Sequence, residues 1–148
     1  MIKKTAFIIC GVLTAVVLFT GCAILHHVVI PQERKGPHGG ALTFIDQRVP
    51  EYIEFVAIPG DPEWTFQVYI YDNNLKQKSI CGSGYLVIKL PDGRIEEANL
   101  WNTKPYFWSK GKGFLENKLK LNSEKEFLAV VKIFRGRSVE RLEFKYPY

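Results

Sequence analysis

At 148 residues, with 20 Lys+Arg against 15 Asp+Glu and a formal net charge of +5, the chain is long enough for one domain with its own core and too short for two plus an export segment. Its charges are interspersed (Arg94, Glu96, Glu97; Lys132, Arg135, Arg137, Glu140, Arg141, Glu143), which is the pattern of a solvated surface and argues against a nucleic-acid partner. Ten Phe and seven Tyr favour strands.

The chain opens with Lys3 and Lys4, followed by the uncharged apolar run Thr5 to Phe19 and by Thr20, Gly21 and Cys22. A basic n-region, an apolar h-region and small residues before a cysteine form an export signal. The segment L-F-T-G-C resembles the lipobox of bacterial lipoproteins, with Phe19 where leucine is usual. The resemblance implies that residues 1–21 are a signal peptide, that Cys22 is acylated and becomes the first mature residue, and that the domain faces the periplasm. Removal of Lys3 and Lys4 lowers the net charge by two, to +3. Each buried methylene contributes about 0.8 kcal/mol, so several lipid chains hold the domain at a membrane. Ala23 in place of aspartate after the cysteine favours the outer membrane. The alternative is a single uncleaved transmembrane helix in the inner membrane, because Ala23, Ile24 and Leu25 extend the apolar run to about 20 residues. Either anchor exports the same domain, since the two lysines stay cytoplasmic.

Residues 22–41 read as a lipidated N-terminus and tether, because Pro31, Gly36, Pro37, Gly39 and Gly40 interrupt regular structure. From Leu42 to the end, short strand-like runs recur between breakers. A weak strand over Leu42 to Asp46 precedes Tyr52 to Ile58. Pro59 to Pro62 then forms a loop, because proline cannot continue a ladder. Trp64 to Tyr71 alternates, with Phe66, Val68 and Ile70 on one face and Thr65, Gln67 and Tyr69 on the other. Tyr85 to Leu90 and Arg94 to Leu100 flank Pro91-Asp92-Gly93 as a hairpin, and weaker strands fall at Tyr106 to Trp108 and Lys118 to Leu121. A last hairpin joins Glu126 to Phe134 with Ser138 to Tyr146, and needs Gly136 at positive φ. Seven or eight strands over residues 42–148 predict an all-β, immunoglobulin-like β-sandwich behind an N-terminal signal or anchor helix, with an open β-barrel as the alternative.

Cys10 lies in the signal and Cys22 carries the lipid, so Cys81 is left without a disulfide partner. A lone thiol of this kind is expected to pack in the core. Trp101 to Trp108 (WNTKPYFW) holds four aromatics without alternation. Trp101, Tyr106, Phe107 and Trp108 are therefore either a candidate interaction surface or a cap on the end of the domain. No nucleophile, base or metalloprotease motif accompanies the three histidines, and Glu96 and Glu97, adjacent on a strand, point to opposite faces. An enzyme is not expected.

K-G-P-H-G-G-A-L (Lys35 to Leu42), E-F-V (Glu54 to Val56), P-E-W-T-F-Q-V-Y (Pro62 to Tyr69), P-D-G and the closing F-K-Y-P together resemble the G-P-H-G-G periplasmic domain of heavy-metal efflux adaptor (membrane fusion) proteins and of small stand-alone periplasmic relatives. The resemblance implies a non-enzymatic accessory module beside a metal-export system, with His38 as a ligand for Cu or Zn. By its own chemistry Cys81 is a soft candidate ligand for Cu(I) if the fold brings it near His38. The alternative reading of the residues is a tight turn at Gly39 and Gly40 with His38 merely exposed on it, in a lipid-tethered protein-interaction or envelope-assembly module that holds no metal. Partners are then the membrane and either efflux-pump or envelope proteins.

Overall fold

The computed structural model describes residues 34–45, 50–104, 112–121 and 125–148. The signal segment, Cys22, Tyr106, Phe107 and Trp108 lie outside the described residues. The described residues form ten strands: β1 (Arg34–Lys35), β2 (Ala41–Ile45), β3 (Glu51–Ile58), β4 (Glu63–Tyr71), β5 (Gln77–Lys78), β6 (Ser83–Lys89), β7 (Ile95–Asn102), β8 (Leu115–Lys120), β9 (Phe127–Arg135) and β10 (Ser138–Tyr146). All pairings are antiparallel.

Hydrogen bonding runs without a break through β1-β2-β3-β4-β8-β7-β6-β9-β10, and β5 adds to the end of β4. The described residues therefore form one curled sheet, a half-barrel, and not the expected two-sheet immunoglobulin-like sandwich. The open-barrel alternative is the nearer of the two. The reason lies in β7, which pairs with β6 from Ile95 to Leu100 and then with β8 through Trp101↔Glu116 and Asn102↔Leu115, stitching together what would otherwise be separate layers. Alternation along a strand reports which side chains are buried and says nothing about which strand lies alongside.

The curl brings distant strands face to face. Phe55 on β3 stacks on Phe144 of β10 with ring centroids 5.0 Å apart, and Trp64 on β4 meets Phe127 of β9 edge-on at 5.6 Å. The Ala57 N–H donates to the Tyr148 hydroxyl at 2.8 Å. Phe66, Val68 and Ile70 face this core as their alternation predicts. Glu51, at the start of β3, closes the structure by accepting from Lys78 and from Arg135 at the end of β9; Arg135 Nη2 also lies 3.6 Å from a Glu140 carboxylate oxygen. Burial alone would raise the Glu51 carboxyl, but the hydrogen bonds and positive charges of Lys78 and Arg135 outweigh it and hold the carboxyl below its usual range.

Candidate functional site

A second, smaller cluster lies on the opposite face of β2, β3 and β4. Leu42, Val56, Tyr69 and Tyr71 are buried there, with Tyr52 and Phe114 packed against them. Alternation predicts Tyr69 on a solvated face, yet it is only 5% exposed. The segment from Gly36 to Gly40, between β1 and β2, folds over this face as a cover. Arg34 and Lys35, expected in the tether, pair with Leu42 and Ala41.

Glu54, fully buried in the middle of this face, explains the P-H-G-G block. One carboxylate oxygen, Oε1, accepts the backbone N–H groups of His38 at 2.8 Å and Gly40 at 2.9 Å. The other, Oε2, accepts the Tyr71 hydroxyl at 2.5 Å and faces His38 Nδ1 at 3.1 Å. A buried charge survives only when its lone pairs are satisfied, and here four donors converge on it. The glycines make room: a Cβ on Gly36 would fall 2.2 Å from the Glu54 carboxyl carbon, and one on Gly40 would fall 2.3 Å from the Phe55 carbonyl oxygen. The expected tight turn is present, with Gly39 at φ +81°, but its purpose is to wrap a carboxylate.

His38 is fixed from three sides. Its ring lies parallel to Tyr69, with centroids 3.9 Å apart and planes 7° apart, and Tyr69 in turn stacks on Phe114 at 4.7 Å. Nδ1 also lies 2.7 Å from the Tyr71 oxygen. Burial, the hydrogen bond to Glu54 and the Glu54 charge all push the Tyr71 phenol far above its ordinary pKa, so Tyr71 keeps its proton and donates a hydrogen bond to Glu54. The Tyr71 oxygen can then only accept, which puts the imidazole proton on Nδ1. No described hydrogen bond reaches Nε2, on a side chain that is 41% exposed.

Of the other predicted site residues, Cys81 and Trp101 are among the described residues. Cys81 is a free thiol and is exposed, against the expectation that it packs in the core. In the loop between β5 and β6 the buried position goes to Ile80, whose carbonyl accepts from Asn102 Nδ2 at 2.5 Å. His38 and Cys81 share no partner among the described contacts, and no group of three His, Cys, Asp or Glu side chains able to hold a metal occurs among the described residues. Trp101 is 61% exposed on β7 and so does not cap the core. Glu54, Tyr69 and Tyr71 were invisible as site residues because β3 and β4 read as ordinary strands; the one signal was a carboxylate, Glu54, among the apolar residues of β3. No family model, curated protein or solved structure matches the chain.

Proposed function

We propose that the chain is a lipid-anchored periplasmic module, without catalytic turnover, that handles Cu or Zn beside a heavy-metal efflux system, with His38 supplying one ligand. The observation that carries this reading is the pairing of His38 Nδ1 with a buried carboxylate and a tyrosine. A ligating histidine characteristically gives its second ring nitrogen to a carboxylate, which fixes the tautomer, aims the other nitrogen outward and raises its basicity. A single imidazole does not fit a resident tetrahedral site, which needs three or four protein ligands. It fits an ion shared with a partner that brings the remaining ligands, as a hand-off between export components requires. Titration of Cu(II) or Zn into the purified full chain should shift or broaden the His38 Nε2 resonance and the ring resonances of the neighbouring Tyr69 and Tyr71 in the wild type and in Cys81→Ala, and should leave the tyrosine resonances unmoved in His38→Ala. Perturbation that persists in His38→Ala, or none in the wild type, ends the metal reading.

Cys22 acylation is part of this proposal and is tested by metabolic labelling with a lipid precursor: Cys22→Ala should lose the label. The second reading is a tethered protein-interaction or envelope-assembly module without metal, favoured by the exposure of Trp101. Trp101→Ala should then reduce recovery of a crosslinked envelope partner while leaving thermal stability within about 0.5 kcal/mol of wild type.

A further inference from the structure

We infer that the end of the half-barrel where β6 and β10 stop and β9 starts is a binding site for a small monocarboxylate with an apolar body. A cavity of about 310 Å³ lies there, at the lower end of the roughly 300–1,000 Å³ that holds small ligands, and the mouths of β-barrels are a common place for such sites. Its apolar lining is firmly held. Phe127 pairs with Tyr146 in the β9–β10 register, and their rings stack 4.7 Å apart and 6° from parallel. Trp64 meets both rings edge-on, at 5.6 and 5.2 Å. Leu90 and Phe127 are 5% and 3% exposed, and Leu90 and the rigid ring of Pro91 complete this part of the lining. A wall already ordered costs little further entropy when a ligand settles against it.

The neighbouring rung of the sheet supplies the charge. Leu128 pairs with Lys89 on one side and with Lys145 on the other, so the three side chains leave the same face of the sheet. The two lysine Cα atoms are then two strand spacings apart, about 10 Å. All three residues line the cavity, and the flexible four-carbon stems let both ammonium groups reach a common point. Both lysines are exposed, and neither has an ion-pair partner among the described residues. Glu126 is the one acid in the lining, and it forms no ion pair there either. Two ammonium groups and one carboxylate leave the rim with a surplus of one positive charge. A monocarboxylate matches both parts of the site: its charge balances the rim, and its body displaces water from the aromatic rings. The cavity shares no residue with the His38 cluster, so the inference does not rest on the metal reading.

The test titrates the full chain, purified in zwitterionic lipid nanodiscs, with phenylpropionate and separately with its uncharged amide, while the ring resonances of Phe127 and Tyr146 are followed; empty nanodiscs give the blank. The acid should shift both rings saturably and bind about fivefold tighter than the amide, and added salt should narrow that difference. Lys89→Gln combined with Lys145→Gln removes the charge and keeps most of each stem, and should bring the acid to within about twofold of the amide. Glu126→Gln should tighten the acid about two- to threefold and leave the amide unchanged, because it removes a like charge from the rim. All three positions are exposed, so thermal unfolding should confirm an unaltered fold. No saturable shift by millimolar acid, equal binding of acid and amide, or undiminished acid affinity in the double glutamine variant overturns the inference.

Discussion

Replacing Glu54 by Gln keeps the shape of the side chain and removes only its charge, so it measures what holds the P-H-G-G loop to the sheet. The carboxylate collects the His38 and Gly40 N–H groups, the Tyr71 hydroxyl and the His38 ring, at 2.5 to 3.1 Å. Hydrogen bonds to a charged group contribute about 1.5–3 kcal/mol each, and neutral ones about 0.5–1.5. A glutamine oxygen can still accept from the two backbone donors, while its amide must donate to Tyr71. Tyr71 then turns its own proton toward His38 Nδ1, and the imidazole proton moves to Nε2. Two bonds weaken and two reverse, so the loss should be about 3 kcal/mol, or roughly 10 °C in midpoint for a domain of this size. Thermal unfolding by circular dichroism measures the first effect, and imidazole nitrogen chemical shifts measure the tautomer. A variant within about 0.5 kcal/mol of wild type, still protonated on Nδ1, would refute both the role of Glu54 and the outward presentation of Nε2.

Gly40→Ala should destabilise more than an ordinary glycine replacement in a turn, by about 3 kcal/mol or more, because its methyl meets the backbone oxygen of Phe55, which cannot rotate away; chemical denaturation measures it. Tyr71 has a folded pKa above its unfolded value, so the stability held by its neutral form is whole below pH about 10 and declines as the pH rises further; Tyr71→Phe should flatten that alkaline decline in a stability-against-pH series. Glu51 has a folded pKa below its unfolded value, so its contribution is present above about pH 4.5 and is lost as the pH falls, and Glu51→Gln should remove that part of the acid transition. The exposed Cys81 should react with a thiol reagent in the native protein as fast as it does in denaturant; protection until unfolding would contradict its position.

Local features translated directly from residue order. The alternation of Trp64 to Tyr71, the P-D-G hairpin and the turn at Gly136, with φ +59°, depend on neighbours a few residues away, so the sequence carried them. The prominence of the P-H-G-G block was also legible, because two consecutive glycines after a histidine promise a close backbone approach. What the backbone approaches was not. Glu54 lies sixteen residues beyond His38 and Tyr71 lies thirty-three, and only the β2-β3-β4 register carries them to one spot.

The sequence by itself determined an all-β chain, its hairpins and the inward faces of its strands, since strand periodicity and turn chemistry are local properties. Tertiary structure decided the rest: that β7 and β8 join two halves into one curled sheet, that Tyr69 is buried on the outer face, that Cys81 is exposed, and that His38 is held by Glu54 and Tyr71. Strand order and burial on a second face arise from contacts between residues far apart in the chain, where one-dimensional pattern carries no distance.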